Sequence, residues 1–256
     1  MKKLIIIFLF SANILFAQTK ITVVGTMHDQ TNKINVKSLV EVLNKISPDV
    51  ILLELDSSYM DDSGNFIKYF NCLENAATKE YASKNKVEIR RYDFDKRQKF
   101  YKDHKIFENE VKHGKILDSL YRGNKLSEYE MNRIVNFLLI NNVLSNGFDQ
   151  ENLYVLNQKS TDKFLEYRQD LLYKDMMQLY LNNQAFKPVW DYLKSNSDFW
   201  YFRNDEMIKN ILSHAKTFSN KCIVIFCGYY HHYYLVKGIE KVQKEHNIIL
   251  KNFWEY

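Results

Sequence analysis

Two apolar runs that each end in a glycine most constrain how this chain can fold. Residues 21–24 lead into Gly25, and residues 222–227 lead into Gly228. Continuous apolar runs of this length are typical of strands that are buried on both faces of a sheet. Glycine then allows the chain to turn sharply and lets other groups come close where the strand ends. The two runs therefore predict buried strands with tight turns at their carboxyl ends.

A histidine follows each glycine by three residues, in Gly25-Thr26-Met27-His28 and in Gly228-Tyr229-Tyr230-His231. Open α/β sheets collect their ligand-binding groups just beyond the carboxyl ends of the strands. Two imidazoles delivered in this way can meet at one site, so the motif pair predicts a metal-binding or catalytic centre. His232 directly follows His231, and the sequence leaves open which of the two takes part.

Strands and helices alternate over much of the chain. The predicted strands lie near 21–25, 50–55, 87–92, 222–227 and 247–253. The predicted helices around them lie near 34–46, 65–84 and 232–245. This alternation is typical of a parallel sheet with right-handed crossovers.

The middle of the chain has a different composition. Between residues 95 and 219 there are only one proline and three glycines, which favours a set of helices. These are predicted near 97–120, 127–145, 158–182, 186–195 and 199–218. We interpret residues 96–198 as a helical insertion that caps the active edge of the sheet. The predicted fold is a single α/β domain over residues 18–256, with a mainly parallel sheet flanked by helices and this insertion between the third and fourth strands.

The amino terminus has the features of a secretory signal peptide. Lys2 and Lys3 precede an apolar stretch at 4–16, and Ala17 follows it. The stretch is shorter than the ~20 residues that a membrane-spanning helix needs, so we expect cleavage after Ala17 and no stable membrane insertion afterwards. An uncleaved anchor is the alternative. No cysteine follows the apolar stretch to accept a lipid, and the protein is expected to be periplasmic or secreted.

The charge argues against nucleic-acid binding, and the cysteine content argues against a fold held together by disulfides. The net charge is +5, and the most basic stretch, residues 90–97, is interrupted by acidic residues, which argues against nucleic-acid binding. Cys222 and Cys227 lie on one predicted strand about 16 Å apart, at ~3.3 Å per residue, so they cannot form a disulfide with each other. With Cys72 they make a poor disulfide framework.

Three further residues are candidates for chemistry. Glu54 ends an apolar strand, where a buried carboxylate needs a cation, a hydrogen-bond network or a raised pKa. Arg203 and Asn204 follow an aromatic cluster, and the guanidinium fork suits a carboxylate or an oxyanion. The simpler interpretation is that Arg203 forms a salt bridge with Glu54 and does no chemistry. Asp93, at the end of the third predicted strand, is a weaker candidate.

Four segments, in this order along the chain, resemble the motifs of the TraB/PrgY–GumN–Tiki superfamily and its EreA/ChaN-like relatives. They are Gly25-Thr26-Met27-His28, Pro48-Asp49-Val50-Ile51-Leu52-Leu53-Glu54, Arg203-Asn204-Asp205-Glu206-Met207 and Gly228-Tyr229-Tyr230-His231. The resemblance implies an α/β core with a helical elaboration and a site built from the two glycine–histidine loops, the glutamate and the arginine. The Tiki branch resembles divalent-metal-dependent proteases, and the erythromycin-esterase relatives hydrolyse esters with a histidine-activated water. ChaN-like relatives bind haem, and the TraB/PrgY branch restrains peptide pheromone signals.

The first hypothesis from this resemblance is an exported, metal-dependent, peptidase-like hydrolase acting on a peptide or a small molecule. His28, His231 and Glu54 would bind manganese, cobalt or zinc, and the ion would lower the pKa of its water from 15.7 toward about 7. Glu54 would be a ligand or a general base. Arg203 would stabilise an oxyanion or dock a substrate carboxylate, with Asn204 as its hydrogen-bonding partner.

Two alternatives stay open beside this hypothesis. One is a metal-free esterase in which a histidine activates water, Glu54 orients it and Arg203 holds the oxyanion. The other is a haem- or ligand-binding envelope protein without turnover. Its axial ligands would come from the tyrosine–histidine run at 229–234, and the insertion rich in Tyr and Phe would form its pocket.

Overall fold

Five parallel strands form the centre of the molecule in this computed structural model, which describes residues 18–147 and 151–256. They are β1 (Thr19–Thr26), β2 (Val50–Leu53), β3 (Glu88–Arg91), β4 (Cys222–Gly228) and β5 (Ile248–Leu250). Their order across the sheet is β3-β2-β4-β1-β5, and every neighbouring pair is parallel. The predicted α/β class with a parallel sheet is confirmed. The predicted signal peptide, 1–17, lies outside the described residues.

Helices cover both faces of the sheet. Side chains alternate along β2, with Ile51 and Leu53 on one face and Val50 and Leu52 on the other, and all four are buried. The first face packs against α1 (Val36–Ile46) and α2 (Leu73–Ala82). The second packs against α9 (Trp190–Thr217) and α10 (Tyr229–Val242). Burial on both faces explains why the strands are continuous apolar runs.

The second helix begins later than the predicted 65–84, at Leu73. The Asp61 side chain accepts hydrogen bonds from the backbone N–H groups of Ser63 and Asn65, and Gly64 has a φ of 87°. Such local side-chain bonds and a left-handed residue compete with helix formation. The residues before Leu73 therefore form a loop, and this loop reaches the carboxyl edge of the sheet.

Most of the remaining helices lie between β3 and β4, where an insertion was predicted. They are α3 (Arg97–Asp103), α4 (Ile106–Arg122), α5 (Glu128–Gly147), α6 (Leu153–Leu156), α7 (Lys159–Asp170), a π-helical turn (Leu171–Met176), α8 (Met177–Asn182), a 3-10 segment (Gln184–Val189) and α9. The two helices predicted at 186–195 and 199–218 form the single helix α9 from Trp190 onward. Pro188 lies in the 3-10 segment just before it, where a missing N–H is tolerated.

Two smaller predictions concern membranes and disulfides. Within the described part of the chain, no helix has both the length and the apolar composition to span a bilayer. All three cysteines are free, and Cys227 is buried among the apolar residues of the sheet.

Candidate functional site

The residues predicted from the strand ends meet at the carboxyl edge of the sheet. His28 follows β1, Glu54 follows β2, and Asp93 lies two residues beyond β3. His231 lies in the first turn of α10, just after β4. The Glu54 Oε1 atom is 2.6 Å from Arg203 Nη2 and 3.7 Å from His231 Nε2. Parallel strands all present their carboxyl ends at one edge, which is why residues so distant in sequence come together.

His28 is held by an acidic partner that the sequence did not reveal. Its Nδ1 lies 3.0 Å from Oε1 of Glu74, in the first turn of α2, and the Thr26 hydroxyl donates to the same oxygen. His28 has a left-handed backbone with φ of 63°, and its carbonyl accepts the N–H of Leu73, 3.0 Å away. A non-glycine residue in this conformation is often found at functional sites. The turn fixes the ring against Glu74.

The other ring nitrogen of His28 lies beside Gly228. A Cβ placed on Gly228 would lie 2.7 Å from His28 Nε2, so only a glycine leaves this atom unobstructed. The side chain is 47% exposed, and Nε2 has no hydrogen-bond partner among the residues that the structure describes. This nitrogen is therefore available to a substrate or a water.

The His28–Glu74 contact is an ion pair at neutral pH. Burial lowers the pKa of His28, but the hydrogen bond to Glu74 and the negative charges of Glu54 and Glu74 outweigh it and raise the pKa to about 9. Burial raises the pKa of Glu74, but the hydrogen bonds from His28 and Thr26 lower it below its ordinary value. The imidazole is thus protonated and the carboxylate ionised.

Arg203 connects the other charged groups of the site. Its Nε and Nη2 atoms are 2.8 Å and 2.9 Å from the two carboxylate oxygens of Asp93, and Nη2 also reaches Glu54. Its Nη1 is 3.2 Å from Nε2 of His231. The residue is only 7% exposed. The predicted Glu54–Arg203 salt bridge is present, and all three guanidinium nitrogens are engaged with protein atoms.

His231 is enclosed and neutral. Its Nδ1 is 2.7 Å from Oδ1 of Asn204, whose amide nitrogen donates to the Trp200 carbonyl at 2.7 Å. The amide orientation therefore gives His231 a proton on Nδ1 and a lone pair on Nε2, which faces Arg203. The ring stacks on Trp200 with centroids 4.6 Å apart. Burial lowers the pKa of His231 to about 4 and outweighs the Glu54 charge, which raises this pKa, while the smaller effect of the Arg203 charge lowers it.

The open choice between the two adjacent histidines is answered by their contacts. His231 contacts Arg203 and Asn204, whereas His232 places its Nδ1 2.7 Å from Asp162 on α7. His232 therefore joins α10 to the helical insertion and is not part of the Arg203 cluster.

Glu54 is a buried carboxylate that remains ionised. Burial raises its pKa, but the surrounding positive charges, including Arg203 and His28, together with the Gly228 N–H 2.8 Å from Oε2, lower it well below the ordinary value. Its desolvation is compensated by contacts on both oxygens. Glu54 thus supplies a fixed negative charge beside the His28 imidazolium.

A cavity of about 220 Å³ opens beside these residues. His28, Glu54, Glu74 and Arg97 contribute its polar groups. Asn75 adds an amide, and the other walls come from apolar and weakly polar side chains, namely Leu53, Leu55, Tyr59, Phe70, Cys72 and Phe226. Arg203 does not line the cavity. Arg97 does, and its Nε is without a hydrogen-bond partner in the described part of the chain.

Two residues of the site were missed by sequence reasoning, and both lie on helices. Glu74 looks like an ordinary acid in the first turn of a helix. Arg97 lies in the mixed-charge stretch 90–97, whose pattern indicated only that nucleic-acid binding is disfavoured. Arg97 does have a signal, because it follows Asp93 by four residues and pairs with it at 2.8 Å.

The predicted metal ligands His28, Glu54 and His231 do not fit a shared metal ion in this arrangement. The lone pair of His231 faces the Arg203 guanidinium, and the other ring nitrogen carries the proton donated to Asn204. A divalent cation would have to lie against this fixed positive charge. No cluster of three or more His, Cys, Asp or Glu side chains arranged to hold a metal is found among the described residues.

The tyrosine–histidine run predicted to offer haem ligands forms the first turns of α10. Both of its histidines are buried and have their Nδ1 atoms engaged, His231 by Asn204 and His232 by Asp162. The Nε2 of His231 faces the Arg203 guanidinium, so this atom is not free to bind haem iron.

Comparison of the chain with family models, with curated proteins and with solved structures finds no match. The resemblance to the TraB/PrgY–GumN–Tiki superfamily therefore stays a prediction that depends on the four motifs.

Proposed function

We propose that this chain is a hydrolase that cleaves carboxylic ester or amide bonds with His28 as its general base and acid, without a metal ion. The observation that supports this most is the His28–Glu74 pair, because His28 lines the 220 Å³ cavity and its Nε2 makes no hydrogen bond among the described residues. A histidine held by a carboxylate on one nitrogen and open to substrate on the other is the usual arrangement of a catalytic imidazole.

In the proposed reaction, neutral His28 takes a proton from a water at Nε2 while the water oxygen bonds to the acyl carbon. The tetrahedral intermediate collapses by breaking the bond to the leaving oxygen or nitrogen, and the imidazolium returns its proton to that atom. With a pKa of about 9, about 1% of the enzyme carries the neutral base at pH 7, and the imidazolium that forms is stabilised by Glu74 and Glu54. Glu54 also offers an acceptor that orients the attacking water.

Within this proposal the oxyanion role passes from Arg203 to Arg97. Arg97 lines the cavity, and its Nε makes no hydrogen bond among the described residues, although Nε lies 3.9 Å from Asp56 Oδ2 and Nη1 lies 2.8 Å from Asp93 Oδ2. Arg203 is committed to Asp93, Glu54 and His231, so it acts as a positioning residue that keeps Glu54 in place. A preorganised cation beside the developing negative charge is worth more in an enclosed site than in water.

The dimensions of the cavity suggest the class of substrate. About 220 Å³ is small beside the 300–1,000 Å³ that is typical of sites for larger ligands. Its Leu55, Tyr59 and Phe70 walls favour apolar groups. We therefore expect a short apolar acyl group to enter the cavity while the leaving group stays outside.

The test uses the chain after dialysis against a chelator, assayed with p-nitrophenyl acetate, butyrate and octanoate and with a peptide pool. We expect hydrolysis of the short esters, with a fall of about 10²–10⁴-fold in kcat/KM for His28→Ala, which is the usual contribution of a general acid–base. His246→Ala, at an exposed histidine, is the matched control and should keep full activity.

Two outcomes would overturn the proposal: full activity of a folded His28→Ala variant, or activity that disappears with the chelator and returns with added manganese, cobalt or zinc. The second outcome would restore the metal-dependent peptidase-like hydrolase as the better hypothesis.

A further inference from the structure

A second cavity, of about 480 Å³, lies within the helical insertion. It shares no lining residue with the cavity at the sheet edge. Its walls come from α4, α5, α7, the π-helical turn, α8 and α9, with Tyr230 of α10 closing one side. Its volume is in the range of sites that bind small organic ligands.

Arg168 of α7 contributes a cation to this cavity. Its Nε donates to Asn141 Oδ1 at 3.0 Å, and Nη1 donates to Gln169. Its guanidinium carbon lies 5.3 Å from the Phe137 ring centroid and 5.0 Å from that of Tyr230. These contacts fix the position of the fork without neutralising its charge.

Among the described residues Arg168 forms no ion pair within 4.0 Å, and its guanidinium contacts are the amides of Asn141 and Gln169 and the two rings. Arg203, by contrast, is paired with two carboxylates. An arginine presents five N–H donors and prefers to bind a carboxylate with two of them at once. Arg168 is therefore held in place, while some of its N–H donors remain available to a ligand.

The rest of the lining combines aromatic rings with uncharged polar and aliphatic side chains, and Glu110 is its one acid. Tyr173 stacks on Trp200 with ring centroids 5.2 Å apart, and Tyr180 and Tyr192 line the same cavity. Burial raises the pKa of Tyr173 to about 12, so this phenol adds no negative charge at neutral pH. Glu110, the exposed acid, disfavours a ligand with a second negative charge.

We propose that the insertion cavity binds a small aromatic monocarboxylate, with its carboxylate on the Arg168 fork and its ring among the tyrosines and Trp200. A flat ring gains by offset or edge-on packing against such walls, and the bidentate pair with arginine gives direction. The proposal does not depend on the hydrolase activity, because the two cavities have different residues.

The test follows the tryptophan fluorescence, excited at 295 nm, to which Trp200 contributes beside Trp190 and Trp254, together with calorimetric titration. The probes are 3-phenylpropionate and its neutral analogue 3-phenylpropanamide. We expect saturable binding of the carboxylate at one site per chain, and at least tenfold weaker binding of the amide. Arg168→Gln should weaken carboxylate binding at least tenfold, while His28→Ala should leave it unchanged.

Arg133→Gln is the matched control, because Arg133 lies in the same insertion but is paired with Asp175. It should bind 3-phenylpropionate as the original chain does. Arg168→Lys keeps the charge without the fork, so we expect it to bind 3-phenylpropionate with intermediate affinity. It replaces Arg168→Gln in the test if that variant fails to fold. Absence of saturable binding, equal binding of acid and amide, or unchanged binding by a folded Arg168→Gln variant would each overturn the proposal.

Discussion

The two glycine–histidine segments have the same layout in sequence but opposite electrostatic environments in the structure. His28 is 47% exposed, pairs through Nδ1 with the carboxylate of Glu74, and has a pKa raised to about 9. His231 is buried against Trp200, is hydrogen-bonded through Nδ1 to the amide of Asn204, and has a pKa lowered to about 4. The spacing from the glycine is identical, whereas the burial and the partners of the two rings differ.

This difference shows that a repeated motif need not mean a repeated role. A pair of equivalent histidines is what a shared metal ion requires, since both must offer a neutral lone pair to one point. Here one imidazole is charged and faces the cavity, and the other is neutral and faces Arg203. The asymmetry instead favours one reacting histidine and one that supports the charged cluster.

The largest expected effect concerns Arg203 and the charged groups around His231. Arg203→Gln leaves Glu54 and Asp93 buried without their main cation, although Asp93 keeps Arg97. Removing one partner of a buried charge cluster typically costs 3–5 kcal/mol, so we expect the free energy of unfolding to fall by about that amount.

Urea denaturation measures this change. Arg122→Gln, at an exposed arginine paired with Asp118, is the control and should alter stability by no more than about 0.5 kcal/mol. Equal stability of the two variants would show that Arg203 does not hold this charged cluster together.

The next prediction sharpens the contrast on the His28 side. Gly228 has φ −58° and ψ 134°, which alanine adopts without strain, but the new methyl group would lie 2.7 Å from His28 Nε2. Gly228→Ala should therefore displace the ring and lower kcat/KM about 10–100-fold, with little change in melting temperature.

Gly114→Ala is the control, because an added Cβ there meets no atom within 4 Å. Unchanged activity of Gly228→Ala would show that Nε2 of His28 does not take part in the reaction.

A smaller effect concerns the pH dependence of the reaction. Because the base must be neutral, kcat/KM should rise with pH and level off above about 9, the pKa of His28. Glu74→Gln removes the negative charge and the charged hydrogen bond that raise this pKa. The rise should then shift to lower pH, toward the ordinary value for histidine.

Glu80→Gln, at an exposed acid of the same helix, serves as the control and should leave the profile unchanged. A profile that does not move in Glu74→Gln would contradict the role given to this pair.

The sequence was sufficient for the sheet and for much of the site. Buried parallel strands leave a strong signal in continuous apolar runs, and strand ends predict that His28, Glu54 and His231 lie at one edge of the sheet. The contact of Arg203 with Glu54 was predicted separately, from the Arg-Asn pair after an aromatic cluster. Glu74 was not predicted, because its link to His28 depends on where α2 begins, and that depends on the turn around Asp61. The opposite environments of the two histidines also depend on helices far apart in sequence.

The central claim is tested most directly by NMR titration of the histidine ring protons, because this needs no substrate. The signals of His28 and His231 are assigned by their loss in His28→Ala and His231→Gln. The account predicts that the His28 signal titrates near pH 9 and that the His231 signal does not titrate between pH 5.5 and 10. Two histidines that both titrate near the ordinary pKa of about 6.5 would contradict it.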